Sequence, residues 1–132
     1  MAFPVDEQYI IETEKELELK FPPTFKGKMK IENGGEIETA DDSWTIHPFF
    51  DKSDIKRIKR TTNNIILETN NSREWGNFPP TAIAIGDNGS GDKLILLPSA
   101  NNPTQLSDKI YFWSHETGEV TAIADDINEL IE

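Results

Sequence analysis

The chain has 132 residues, no cysteine and a formal net charge of −11, from 13 basic and 24 acidic side chains. This length predicts a single domain over residues 1–132 that buries roughly two-thirds of its unfolded surface. The lack of cysteine excludes disulfides, thiolate zinc sites and cysteine nucleophiles, and the negative charge argues against direct nucleic acid binding, which requires basic groups near the phosphates.

The first predicted elements are two helices. Apolar residues at helical spacing, opposite a row of glutamates, indicate a helix over about Val5–Leu19. Phe21-Pro22-Pro23 ends it, and a shorter helix begins at Pro22 or Pro23 because proline suits the first helical position. Asn33-Gly34-Gly35 ends the second helix, since glycine and asparagine adopt the left-handed C-cap conformation at low cost.

Two strands and a third helix complete the first half. Strands are predicted at Glu36–Thr39 and Ser43–Phe49, followed by a helix over about Ser53–Glu68 with Ser53 as its N-cap. The apolar face of this helix is formed by Ile55, Ile58, Ile65 and Ile66. We therefore assign the basic run Lys56-Arg57-Ile58-Lys59-Arg60 to its solvent face rather than to an RNA-binding patch.

The second half is predicted to be mostly sheet. Strands at about 82–86, 93–97, 109–113 and 119–123 are separated by turns, and a last helix begins near Asp125 or Asp126. The residues of that helix that face the core are Ile127, Leu130 and Ile131. Helices at both ends of a chain whose middle is sheet predict an α+β fold with a central antiparallel β-sheet flanked by helices.

An acidic, glycine-rich turn joins the first two of these strands. Gly86-Asp87-Asn88-Gly89-Ser90-Gly91-Asp92 lies between two apolar runs and predicts a β-hairpin. Its glycines have the spacing of a phosphate loop, but Asp92 stands where the loop needs lysine and would repel phosphate. A calcium loop is excluded because its twelfth position is Pro98 instead of a bidentate glutamate. We interpret the turn as a presented surface.

Few groups suit catalysis or metal binding. Ser114-His115-Glu116 is a triad-like cluster, but adjacent side chains diverge, so we interpret His115 as an exposed turn residue and His47 as a core or edge histidine. Asp41-Asp42 suits a turn, and Asp125-Asp126 suits a helix cap, better than either suits a divalent ion. We expect no catalytic residue, no metal and no cofactor.

Acidic side chains are predicted to gather at one end of the sheet. Residues 67–132 hold 11 acids against Arg73, Lys93 and Lys109, a balance of −8. In an up-and-down meander, the first and third connections of the last four strands lie at the same end. The acids brought together there, with Lys93 between them, are Asp87, Asp92, Glu116 and Glu119.

Trp75 follows Glu74 in the polar stretch 70–77, where a large aromatic side chain is hard to explain by packing alone. It either packs under Pro79-Pro80 or is exposed as an anchor for a partner, and the sequence leaves both interpretations open. No signal-peptide pattern and no apolar run of bilayer length is present, so we expect a soluble, cytoplasmic protein that binds no membrane.

Three blocks resemble the SUKH superfamily, the immunity proteins related to the fungal cell-wall assembly regulator Smi/Knr. The blocks are Glu14–Pro22 with Phe25 and Asn33-Gly34-Gly35, then Ile85–Asp92, then Ile110–Glu116 with the closing helix. Glu18 stands where the family often has glycine, and Phe21 replaces a leucine; we interpret both as tolerated packing changes. The resemblance implies a central antiparallel sheet flanked by helices and no catalytic activity.

In bacteria the resemblance implies an immunity protein that binds and neutralises a cognate polymorphic toxin, often a nuclease domain. Together with the acidity, this predicts a basic RNase or DNase domain as partner. The residues expected to contact it are Glu74, Trp75, Asp87, Asp92, Glu116 and Glu119. The alternative is a non-enzymatic regulatory scaffold that binds an intracellular partner, as the fungal relatives suggest. Whether the chain is a monomer or a weak dimer stays open.

Overall fold

The computed structural model describes residues 3–39 and 42–131, and these form five helices and six strands. The helices are α1 (Glu7–Leu17), α2 (Pro23–Ile31), α3 (Ile55–Arg60), α4 (Ile65–Arg73) and α5 (Ile127–Ile131). The strands are β1 (Glu36–Glu38), β2 (Ser43–Ile46), β3 (Ile83–Asp87), β4 (Lys93–Leu96), β5 (Ile110–Trp113) and β6 (Val120–Ala124). The predicted α+β class is confirmed.

All six strands pair in chain order into one antiparallel sheet, so the last four form the up-and-down meander considered from the sequence. Asp87 lies opposite Thr45 on one side and opposite Lys93 on the other. Lys93 in turn lies opposite Trp113. Because directly opposed residues point to the same face, these side chains form a row across four strands on one face of the sheet.

The two faces of the sheet are covered differently. Under α1, α2 and α5 lies the larger core, which includes three packed rings, Phe21, Phe25 and Phe49, with centroids 5.0 to 5.9 Å apart. The opposite face packs against α4 through a smaller cluster, whose members are Phe78, Ala82, Ala84, Ile95 and Trp113. Both faces are therefore buried in the centre of the sheet, as the unbroken apolar runs of β3 and β4 require.

Two glutamates of the first helix have structural roles. Glu14, expected on the polar side, is buried; its Oε2 accepts the backbone N–H of Phe21 at 2.8 Å and lies 3.4 Å from Lys26 Nζ. Glu18 follows the helix with a φ of 58°, a left-handed conformation that favours glycine. The exchange of glycine for glutamate at this position therefore acts on backbone conformation rather than on packing.

Asn33 joins the end of α2 to the segment after β2. Its side chain is buried, its Oδ1 accepts the N–H of Phe49 at 2.8 Å, and its Nδ2 donates to the Phe49 carbonyl at 2.9 Å. The neighbouring Gly34 and Gly35 have φ values of 107° and 86°, so the predicted need for glycine here is confirmed. Helix α2 itself ends at Glu32 in an extended conformation, not in a left-handed cap.

The predicted third helix is wrong as a single element, because it is two helices, α3 and α4. Asn64 starts α4 by accepting the N–H of Leu67 at 3.0 Å, and Thr61 ends α3 with its hydroxyl bonded to the Arg57 carbonyl at 2.8 Å. The N-cap of α3 is Asp54 rather than Ser53, since Asp54 Oδ1 accepts the Arg57 N–H at 2.8 Å.

The isoleucines of the predicted apolar face are divided by this break. Ile65 is fully buried, whereas Ile55 and Ile58 of α3 are 73% and 36% exposed. The basic run on α3 does not form a free patch, because Arg57 lies 4.4 Å and Arg60 5.0 Å from the centre of the Phe3 ring. This helix is held through cation–π contacts and its cap more than through burial.

Smaller differences occur at element ends. β2 ends at Ile46 rather than Phe49, since Pro48 has no N–H to continue the ladder, although the His47 N–H still donates to the Ile85 carbonyl at 2.8 Å. Asp126 caps α5 as predicted by accepting the Glu129 N–H at 3.0 Å. Ile127 is buried and Leu130 packs against the core. The side chain of Ile131, and Asp41 of the predicted Asp41-Asp42 turn, lie outside the described residues.

The Asn33 clamp predicts a clear loss of stability on substitution. Asn33→Ala leaves both buried backbone groups of Phe49 without their partner, so we expect the free energy of unfolding to fall by about 2–4 kcal/mol. Urea unfolding followed by circular dichroism measures this change. The control is Asn70→Ala on the exposed side of α4, for which we expect a change below about 0.5 kcal/mol. Equal effects of the two substitutions would contradict the assigned role.

Candidate functional site

Three hairpin turns meet at one end of the sheet, because alternate connections of a meander emerge on the same side. Asn88 Nδ2 donates to Asp42 Oδ2 at 2.7 Å and to Asp92 Oδ2 at 3.2 Å. Asp92 Oδ1 then lies 2.7 Å from His115 Nδ1. These bonds join the β1–β2, β3–β4 and β5–β6 turns into one surface. We call it the hairpin edge, defined by Asp42, Trp75, Asn88, Asp92, His115, Glu116 and Glu119.

Asp92 is the centre of this network. Its Oδ1 accepts the backbone N–H of His115 at 3.1 Å as well as contacting the ring. Partial burial acts to raise the pKa of Asp92, but the hydrogen bonds from His115 and Asn88 outweigh it and lower the pKa below its usual range. The carboxylate is therefore charged at neutral pH and fixed in position.

His115 is half-buried rather than an exposed turn residue as predicted. Its ring packs on the backbone of Gly91, where a Cβ atom would lie 3.1 Å from the imidazole and where φ is 105°. Both observations require glycine at this position. The Asp92–His115 pair therefore links the β3–β4 turn to the β5–β6 turn.

Trp75 is the aromatic member of the hairpin edge, and nearly half of its surface, 47%, is exposed. Its ring meets Trp113 and His115 edge-to-face, with centroid distances of 6.1 and 5.9 Å. Residues 70–73 belong to α4 rather than to the predicted polar loop, and the exposed Glu74 ends that helix directly before Trp75. A large aromatic surface is thus held rigidly beside the acidic turns.

The other predicted site residues occupy two environments. Glu116 and Glu119 are exposed on the β5–β6 turn, where their charges face solvent. Asp87 is half-buried and turns away from the hairpin edge: its Oδ2 lies 3.6 Å from His47 Nε2 and 3.9 Å from Lys93 Nζ. Sequence reasoning placed Asp87 with Asp92 because both belong to one hairpin. Asp87, however, is the last residue of β3 and lies between Thr45 and Lys93 in the sheet, whereas Asp92 belongs to the turn.

Asp87 lines a cleft of about 680 Å³ between α3, α4 and the sheet. His47 lies in its wall with 3% of its surface exposed. Burial lowers the pKa of His47 to about 4, against the opposing effect of the Asp87 carboxylate and with a further lowering by Lys93. Lys93 Nζ also lies 3.7 Å from Glu68 Oε1.

The ligand atoms of His47, Glu68 and Asp87 all lie within 4.8 Å of one another. They come from the end of β2, from α4 and from β3, and no local motif connects them in the sequence. Sequence reasoning missed this group because only the folded sheet and α4 bring the three residues together. Within the described ranges, this is where the chain has side chains suited to hold a metal ion.

A comparison with protein-family models finds one described as the SMI1 / KNR4 family (SUKH-1), which matches residues 4–132. A search of curated proteins gives no match at the significance required. Of the helices in the described part of the chain, none combines the length and the apolar character needed to cross a bilayer.

The buried, neutral His47 predicts a pH dependence of stability. Between its ordinary pKa of 6.5 and its folded value of about 4, the unfolded chain binds a proton at His47 and the folded chain does not. Unfolding is therefore favoured as the pH falls, and we expect His47 to lower the free energy of unfolding by about 2–3 kcal/mol from about pH 7 to about pH 4.5.

Urea unfolding of the natural chain and of His47→Leu at both pH values measures this contribution, because the variant lacks the imidazole and keeps every carboxylate. The natural chain is expected to lose more stability on acidification than the variant. If the free energies of unfolding of the two proteins differ by the same amount at both pH values, His47 is not held neutral by burial.

Proposed function

Because the chain belongs to the SMI1 / KNR4 family (SUKH-1), we propose that it is an immunity protein that binds a toxin protein and neutralises it without catalysing a reaction. The observation that carries this proposal is the hairpin edge, which presents fixed and exposed carboxylates beside a half-exposed tryptophan. Such a surface binds a partner through charge and one aromatic anchor.

The charge at the hairpin edge favours a basic partner. The carboxylate of Asp92 is oriented by three hydrogen bonds, so it loses little freedom on binding. Glu116 and Glu119 add exposed negative charge on the next turn. With a net charge of −11 for the whole chain, the field at this end attracts cations and speeds their approach.

A nuclease domain has the matching chemistry, since it holds the phosphates of its substrate with basic side chains. An acidic protein surface placed on that basic site excludes the nucleic acid by competition for the same charges. We therefore propose an RNase or DNase domain as the toxin, with Glu74, Trp75, Asp92, Glu116 and Glu119 at the contact. Asp87, which faces the cleft, contributes to the field rather than to the contact.

Co-expression with the toxin encoded beside this gene, followed by co-purification and a nuclease assay, tests the proposal. We expect a stable complex in which nuclease activity is abolished. Neutralisation of no neighbouring toxin, with capture of a regulatory protein instead, would overturn the immunity role and favour a scaffold. Hydrolysis of a substrate by the purified chain alone would overturn the non-enzymatic role.

Charge reversal at the hairpin edge is the first prediction from this proposal. Glu116→Lys combined with Glu119→Lys is expected to weaken the complex by about tenfold or more, mainly through slower association, and to flatten its dependence on salt. The control is Glu12→Lys with Glu16→Lys on the exposed side of α1, which changes the net charge equally. Surface plasmon resonance at several salt concentrations measures both. Equal weakening by the two pairs would assign the effect to overall charge.

Truncation of the aromatic anchor is the second prediction. Trp75→Ala removes the exposed ring, and we expect faster dissociation of the complex and a loss of affinity of about 30-fold or more, as is typical of a tryptophan hot spot. Because the ring also packs on Trp113 and His115, unfolding by urea must be measured alongside. Unchanged dissociation from a folded variant would remove Trp75 from the contact.

A further inference from the structure

The cleft beside α4 contains a group of ligating side chains that the immunity role does not use. His47 comes from the segment directly after β2, Asp87 from the end of β3 and Glu68 from α4, and the atoms that each offers lie within 4.8 Å of one another. Two of the three positions are anchored to the central sheet. Ligands on rigid elements give a preorganised site more readily than ligands on mobile loops.

His47 Nε2 is the second and independent sign of a ligand. The side chain is 97% buried, and this nitrogen has no hydrogen-bond partner among the described residues. Its distance of 3.6 Å from Asp87 Oδ2 is too long for a good hydrogen bond. A buried polar atom without a partner costs free energy, so such atoms are rare unless water, an ion or another group binds them.

We propose that His47 Nε2 and the carboxylates of Glu68 and Asp87 bind one divalent transition-metal ion of the zinc class, with water from the cleft as a further ligand. Metal–ligand distances of about 2.0–2.2 Å and tetrahedral geometry place ligand atoms roughly 3.4 Å apart. The His47–Asp87 separation is already 3.6 Å. Small side-chain rotations of Glu68 complete the set, since its carboxyl group is half-buried and borders the open cleft.

The ligand types select the kind of ion. One imidazole nitrogen with two carboxylates suits zinc, cobalt or nickel, whereas magnesium and calcium prefer oxygen ligands alone. Two carboxylates also match the charge of a divalent ion. The cleft provides both an entry path and room for water, because it is lined by all three residues and has a volume of about 680 Å³.

Lys93 now balances the charge of this cluster. Its Nζ lies 3.7 Å from Glu68 Oε1 and 3.9 Å from Asp87 Oδ2, which is where a metal ion would bind. A divalent ion therefore has to displace the ammonium group, which the long and flexible side chain of lysine allows. Lys93 and the metal ion therefore compete for the same two carboxylates, so removal of the lysine charge should strengthen metal binding.

Titration of the purified, chelator-treated chain with zinc chloride in a calorimeter, and with cobalt chloride followed by absorption, tests the site. We expect one ion per chain. Glu68→Gln and Asp87→Asn should each weaken binding by more than the roughly tenfold lost when a group that only orients a ligand is removed. Lys93→Met should tighten it, because the competing ammonium group is gone. The matched control is Glu38→Gln, an exposed carboxylate on β1 outside the cluster.

Nitrogen-15 spectra of the two histidines give an independent readout. Zinc should shift the His47 ring signals and leave those of His115 unchanged. Equal zinc affinities of Glu38→Gln, Glu68→Gln and Asp87→Asn would show an adventitious ion only. A zinc-dependent shift of the His115 ring signals would show the same. No binding, or no gain with Lys93→Met, would equally overturn the site. Circular dichroism checks folding, and if Glu68→Gln fails to fold, Asp87→Asn and Lys93→Met decide the outcome.

These measurements need no toxin, so the metal site and the immunity role are tested separately. Zinc binding at His47 by a chain that neutralises no toxin would support the metal site and contradict the proposed function. The reverse result would keep the function and lose the site.

Discussion

Consecutive antiparallel pairing of all six strands is the constraint on which the rest of the structure depends. It sends alternate turns to one end of the sheet, and it is for this reason that three turns far apart in the chain meet through Asp42, Asn88, Asp92 and His115. It also places Asp87 between Thr45 and Lys93 in the sheet, while Asp92 stays in the turn. The hairpin edge and the cleft are two products of one pairing scheme.

The two faces of the sheet have different roles, because one carries most of the apolar core and the other carries partly exposed polar and charged groups. Most large apolar side chains lie under α1, α2 and α5, where the aromatic cluster and the Asn33 clamp hold the segments together. On the other face, α4 covers the centre and leaves the row from β2 to β4 partly open. Polar and charged residues such as Lys93, Glu68 and Asp87 occupy this opening, where water screens less than at a free surface.

Sequence patterns gave good predictions wherever the signal was local. Alternating or continuous apolar runs placed β3 to β6, and the Asn33-Gly34-Gly35 turn was recognised from its backbone requirements. The break between α3 and α4 was missed because four isoleucines mimic one helical face, while the capping bonds of Thr61 and Asn64 depend on local competition for backbone groups. Glu14 was missed because its partner, the Phe21 N–H, becomes buried only after the helices pack.

The turn between β5 and β6 is anchored at its start by the bond from His115 to Asp92. Its other polar side chains, Glu116, Thr117 and Glu119, are exposed to solvent. Exchanges at such positions change the free energy of unfolding by only about 0.5 kcal/mol or less. Single substitutions in this turn therefore leave the stability of the fold almost unchanged. We expect the sequences of homologous chains to differ most at this turn. Such chains would keep the same fold and differ in the partner that they bind.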